Sequence, residues 1–481
     1  MKLQRSAPEK QGVKSQAIVD FLDKIKEENH ELHSFMLLKD GKVISECWWE
    51  PYAPQYRHQL FSLSKSFTST AIGLAVNEGL LTVDTRVADI FKKEMDELGA
   101  DVDEKMKKMT VKNLLTMGTG MEYENWEHDD NDKLNNIKGF LSSHIKNEPG
   151  SAFFYHTLAT YMQSAIITRL TGKKLVDYLK PRLFDPLDID PYWEEDNQGI
   201  NMGGFGLNIT TEDIAKFGQL YLQKGNWEGK QLIPESWVNE ATSKQINNGD
   251  DPNSDWAQGY GYQFWRCKPD GVYRGDGAYG QYCIVMPNEN AVIAITSNVD
   301  MQKLLNVIWE MLLPALKENN EPSEDKAAHN RLIRAQKGLS HLKVNMTAPN
   351  FPVIRGLYKI DDKDRSELSE VYMDFNASDG VLMLNYNGKR ECVYRFKKGE
   401  WADNASKMFV WDSKLMRSKL YGEWKPDENM LDLAAWFYET PCKNTLKLKF
   451  NRSKTKLAVI FNENYTIELE LVKGSDICVM Q

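Results

Sequence analysis

Along this 481-residue sequence the spacing of apolar residues changes near residue 345, and that change sets which kinds of fold the chain can adopt. Downstream, VLMLNYNGKRECVYRF alternates about Asn387-Gly388, TLKLKF sets Leu446, Leu448 and Phe450 between lysines, and TIELELV sets Ile467, Leu469 and Leu471 between glutamates. A period of two with one apolar face predicts an antiparallel sheet. Residues 345–481 are therefore expected to form a β-rich accessory domain, closing on itself as a small barrel or on a neighbour. Upstream the periods are mixed. Ile18, Phe21, Leu22 and Ile25 recur at helical spacing, SFMLLKDGKVISECWW reads as a hairpin about Asp40-Gly41, and YCIVM and AVIAIT are two apolar strands joined by a turn. A closing helix carries Leu304, Leu305, Ile308, Met311 and Leu312. Residues 85–255 read as mostly helical, with Thr210 and Asp213 spaced as a capping box. The expected class is α/β (α+β): over 1–318, an antiparallel sheet flanked by N- and C-terminal helices with a large helical insertion. A charged linker follows over 319–344.

Charge and composition narrow the function classes. The formal net charge is -9 with no compensating basic block, which argues against a nucleic-acid partner. No run of 18 apolar residues and no apolar leader is present, so a soluble, cytoplasmic protein away from membranes is expected. A small molecule or short peptide is the expected partner. Six cysteines are scattered without a C-x-x-C pair, which suggests neither zinc nor a disulfide framework. His30 and His33 lack a third ligand and are expected at the surface. The acidic segment GMEYENWEHDDNDK, with Glu122 and Glu124, reads as a solvated loop whose Trp126 lines a pocket rim. GGFGLN lacks the Gly-Lys-Ser/Thr end of a phosphate loop, so its glycines are expected to ease a turn. No metal or other cofactor is expected.

Ser-x-x-Lys occurs at Ser62, Ser143, Ser323, Ser340 and Ser453, but only Ser62 opens an apolar helix, in FSLSKSFTSTAIG. Side chains at i and i+3 share a helix face, and a buried lysine loses basicity by as much as roughly 3 to 5 pKa units. Lys65 is thus either the base that activates Ser62 or part of an ordinary polar face. Tyr155, in a loop before the next helical segment, is a packing residue or a proton relay assisted by neighbouring cations. Gly275, Gly277 and Gly280 crowd the start of an apolar strand, as a bulge or as room for a backbone N–H to meet a ligand.

Taken in order, FSLSKSF, PGSAFFYHT and RGDGAYGQYCIVMP resemble the three active-site motifs of the serine β-lactamase and penicillin-binding-protein superfamily. The likeness covers about residues 5–315 and is to the class C β-lactamase-related branch, with its esterases and 6-aminohexanoate-dimer hydrolases. LLTVDTRVADIF, MTVKNLLTMGTGM and GGFGLNITTEDIAKFGQLYLQKGNW support it in the same order. The resemblance implies Ser62 as acylating nucleophile, Lys65 as its proton acceptor and Tyr155 as the second acid/base group. It further implies backbone N–H groups of Ser62 and Ala278 as the oxyanion hole, with Thr157, Gly275, Asp276, Gly277 and Gln281 at the substrate. Two departures bear on the substrate. Thr157 stands where β-lactamases of the superfamily carry asparagine, and Gly275 where a lysine would hold a substrate carboxylate. The expectation is a serine hydrolase forming an acyl-enzyme on small esters or amides. The alternatives are β-lactamase or D-amino-acid peptidase activity, or a peptide-binding member without turnover. A Ser-His-Asp enzyme would need His156 as base, and no Gly-x-Ser-x-Gly elbow accompanies it.

Overall fold

The computed structural model describes residues 2–125, 135–318, 325–341, 345, 347–359, 368–386, 390–407, 415–454, 456–462 and 465–471. Two compact units divide the chain: residues 1–49 with 53–339, and residues 50–52 with 340–481.

In the first unit, six strands form one antiparallel sheet in the spatial order Lys42–Trp48, Glu31–Lys39, Ala291–Asn298, Gln281–Met286, Tyr273–Gly277 and Trp265–Arg266. Its first hairpin turns at Asp40 and Gly41, both with positive φ (51° and 74°). The central strands are apolar on both faces because both faces are covered. Phe35 and Leu37 join a core with Phe21, Leu304 and Leu305 of the N- and C-terminal helices; Met36 and Leu38 join the opposite core with Phe67 and Phe217. This double coverage corrects one expectation. His33 lies in a central strand, is fully buried and sits 3.1 Å from His58 through ring nitrogens, rather than at the surface.

The insertion is largely helical, but its helix Thr211–Leu222 belongs to the sheet's second face. A Cβ on Gly218 would stand 2.6 Å from Val292 Cγ1 and 2.9 Å from Cys283 Sγ, so the helix backbone rides directly on two strands. The Thr210–Asp213 capping box starts this helix. The helix Lys326–Gln336, within the stretch expected as linker, packs Leu332 into the core on the first face. Among the described residues, no helix is long and apolar enough to cross a membrane.

The second unit is a ten-stranded antiparallel sheet around a core that includes Tyr358, Val371, Leu382, Leu433, Leu448 and Val459. Barrel closure is incomplete: the terminal strands Arg390–Lys397 and Ala402–Ser406 form no ladder with each other among the described residues. There the Asn404 side chain takes the ladder's place, accepting from Arg395 N at 2.7 Å and donating to Arg395 O at 2.6 Å.

Because Gly218 leaves no room for a side chain, Gly218→Leu is expected to destabilise the first unit by about 1–3 kcal/mol through overpacking. A lower urea midpoint in equilibrium unfolding is the expected readout.

Candidate active site

The turn that carries Ser62 is built by a short strand pairing. His58–Gln59 pairs with Leu207–Ile209, Leu60 N donates to Leu207 O at 2.9 Å, and Ser64 Oγ accepts from Leu207 N at 3.1 Å. Phe61 then takes a positive φ of 49°, and the chain enters a 3-10 turn, Phe61–Leu63, before the helix Ser64–Asn77. Ser62 lies in that turn, partly open to solvent. The helix is buried on every side from Ser64 to Ala75, more than its apolar stripe predicts. Its hydroxyls are accommodated by hydrogen bonds: Ser66 Oγ donates to Gln263 O, Thr68 Oγ1 to Gly203 O, and Thr70 Oγ1 pairs with the Tyr221 hydroxyl. Phe67 stacks on Phe217 with ring centroids 3.8 Å apart.

Lys65 is 1% exposed. Its Nζ donates to Gly204 O at 2.7 Å and stands 3.1 Å from Ser62 Oγ and 3.4 Å from Thr157 Oγ1. Burial brings the amine down from 10.5 to about 7, against the opposing pull of Glu124 and Asp276. Tyr155 stands beside this amine, with Lys65 Nζ 5.0 Å from its ring centroid. Burial, with Asp276 next, pushes the phenol well above its ordinary value. The surroundings of Tyr155 thus raise its phenol rather than acidify it.

Thr157 begins the helix Thr157–Thr171, and its backbone N–H donates to the Glu124 carboxylate. The GGFGLN segment lies against this helix start. A Cβ on Gly204 would meet Thr157 Cγ2 at 2.7 Å, and one on Gly203 would meet Ser164 Cβ at 2.8 Å. Those glycines let the carbonyls of Gly203 and Gly204 reach Thr68 and Lys65. They do more than ease a turn.

The glycine-rich strand Tyr273–Gly277 packs against the Ser62 turn. A Cβ on Gly277 would stand 2.0 Å from Leu60 O, and one on Gly275 would stand 2.5 Å from both Leu63 Cδ1 and Ser66 Oγ. No lysine fits at position 275. The turn that follows is braced: Gln281 Nε2 donates to Ala278 O at 2.9 Å, Ser297 Oγ to Gly280 O at 2.7 Å, and Val299 N to Tyr279 O at 3.1 Å. The Ala278 N–H has no acceptor among the described residues. Gln281, expected at the substrate, is fully buried and spends its amide on this turn and on Ser297.

Arg274 is also fully buried, so it does not replace the missing lysine. Its Nε donates to Asp276 Oδ2 at 3.0 Å and its Nη1 to Asp255 O at 2.9 Å, with the guanidinium 4.6 Å from the Trp256 ring. Asp276 is raised by burial, opposed by Arg274. Trp265 stacks on Tyr155, centroids 5.3 Å apart at 23°. The Asp276 charge adds to the burial that raises the Tyr155 phenol.

Trp126 lies outside the described residues. His156 is fully buried between Phe140 and Phe154, with burial lowering it to about 4. That enclosure makes it unsuited to serve Ser62 as a base. Among the described residues, no group of three or more His, Cys, Asp or Glu is placed to hold a metal. Sequence reasoning missed Glu124, Gly204 and Trp265. Only the glycine pair offered a local signal, since close packing is one reason for glycine.

The Beta-lactamase family model matches residues 33–304. The chain is 25% identical over 291 residues to the 6-aminohexanoate-dimer hydrolase of Paenarthrobacter ureafaciens, covering 55% of this chain and 72% of that one. Its fold resembles the octameric penicillin-binding protein homologue of Pyrococcus abyssi (TM-score 0.51, 16% identity), over 95% of this chain and 99% of that one. It also resembles a family VIII carboxylesterase (TM-score 0.50, 16% identity), over 65% and 100% of the two chains. Family model, sequence relative and folds agree with the motif resemblance, and the chain belongs to the β-lactamase family of serine hydrolases.

Proposed function

We propose that this protein hydrolyses small esters or amides through an acyl-enzyme on Ser62, with Lys65 as base and Tyr155 as proton donor. The observation that carries this is the Lys65 amine, buried beside a partly open serine hydroxyl. A neutral amine has two hydrogens and one lone pair. The hydrogens suit Gly204 O and Thr157 Oγ1, which leaves the lone pair for the Ser62 proton.

Ser62 Oγ attacks the carbonyl carbon while its proton passes to Lys65. The oxyanion that forms is held by the N–H groups of Ser62 and Ala278, donors typically worth roughly 2.7 to 4 kcal/mol each. The strand end packed on the nucleophile turn and the bracing of the Ala278 carbonyl support that placement. As the tetrahedral centre collapses, the bond to the leaving alcohol or amine breaks and that group takes a proton from Tyr155; the Lys65 proton then restores the phenol. Water attacks the ester in the second half, its proton returning through the same groups, and Ser62 is regenerated with release of the acid. Lys65 is the better first base because its amine sits at about 7, whereas the phenol is pushed upward.

The substrate pocket favours acyl groups without a carboxylate. Gly275 leaves no space for a cation, Arg274 is committed to Asp276, and Thr157 offers a hydroxyl in place of an amide. The names of the relatives, an amide hydrolase and a carboxylesterase, agree with that substrate class.

Three outcomes are expected. A fluorophosphonate probe labels the wild-type protein and not Ser62→Ala, whose ester turnover falls about 10⁴-fold or more. With wild-type protein, kcat/KM for p-nitrophenyl butyrate rises with pH through about 7 and levels above it, since the base must be deprotonated. Nitrocefin is turned over more slowly than that ester; the reverse order in a side-by-side assay removes the substrate assignment.

A further inference from the structure

The acidic segment read as a solvated loop sends one side chain into the catalytic neighbourhood. Glu124 is partly buried, and its carboxylate accepts the backbone N–H of Thr157 at the first residue of a 15-residue helix. Thr157 carries the hydroxyl 3.4 Å from Lys65 Nζ, and Tyr155 lies two residues before it. An anion at a helix N-terminus is favoured by the free N–H groups and the macrodipole. Here the same anion also opposes the loss of basicity of the Lys65 amine proposed as base.

We propose that Glu124 is a positioning residue of the Ser62 site: its carboxylate anchors the turn that carries Tyr155 and Thr157 and sets a negative charge beside the Lys65 amine. The inference rests on Ser62 catalysis as proposed above. Among the described residues, the groups that face Lys65 from the elements around it are Asp276 with its partner Arg274, Tyr155, His156 and Glu124. Asp276 is already paired with Arg274. Glu124 is the acid that joins the Tyr155 turn to the lysine, so its two properties, reach and charge, have separable effects.

Glu124→Gln keeps an oxygen for the Thr157 N–H and removes the charge. Without that charge the protonated lysine loses stabilisation, so the rising limb of the pH–kcat/KM profile should move to lower pH by about half a unit or more. The plateau should stay within about threefold. Glu124→Asp keeps the charge and shortens the reach by one methylene; its limb should hold position while its plateau falls about tenfold or more, at a pH where Lys65 is neutral. Both profiles are measured on p-nitrophenyl butyrate, with thermal unfolding to confirm that each variant is folded. If one variant does not fold, the other still decides between a moved limb and a moved plateau. Gln and Asp variants with identical limbs and plateaus overturn the assignment while leaving Ser62 catalysis intact. A wild-type protein whose Ser62 resists the fluorophosphonate overturns both, and that result is read independently of the profiles.

Discussion

The candidate site is organised around a lysine side chain with almost no access to water. Removing an ammonium from water is costly, and the groups around Lys65 do not repay it as a full ion pair would. They are a backbone carbonyl, two hydroxyls and, farther off, two carboxylates, one already matched by an arginine. Such surroundings suit a neutral amine. The requirements of the site follow: a carbonyl brought close by Gly204, a hydroxyl from the start of one helix, and a serine in a tight turn at the start of another. Each comes from a different part of the chain, and the sheet and its two covered faces hold them in register.

The same dryness explains the close backbone packing nearby. Gly203, Gly204, Gly275 and Gly277 all lie where a Cβ would be within 3 Å of a neighbouring atom, so at these positions main chain forms part of the site's wall. Main-chain walls are rigid and present donors and acceptors at fixed positions, which suits charge that appears only in a transition state. They also leave little room for side-chain selectivity on the Gly275 side. Beside the Ser62 turn, the exposed ring of Tyr279 packs edge-on to Phe61, with centroids 5.3 Å apart.

Much of this was legible in the sequence where the signal is local. The Asp40-Gly41 turn, the Thr210 cap and the Ser62–Lys65 spacing depend on residues a few positions apart, and the three motifs carried the family. What could not be read were consequences of segments meeting in space. Arg274 and Gln281 sit on strands with two buried faces, so alternation did not tell which of their neighbours would be solvent. His33 was misplaced for the same reason. Glu124 was hidden by its company, since an acidic run offers no hint of which carboxylate turns inward. The open edge of the ten-stranded sheet likewise depends on a single asparagine side chain filling a ladder position.

One feature of the chain path limits how the protein can be dissected. Backbone passes into the second unit at residue 50, leaves after residue 52 and re-enters at residue 340. Tyr52, on that brief excursion, gives its hydroxyl to Thr440 O at 3.0 Å and meets Trp436 edge-on at 6.2 Å. Stopping translation anywhere between the two units would therefore orphan an aromatic residue that lies ten positions before Ser62 in the chain. The halves are threaded modules that no single scission can yield intact.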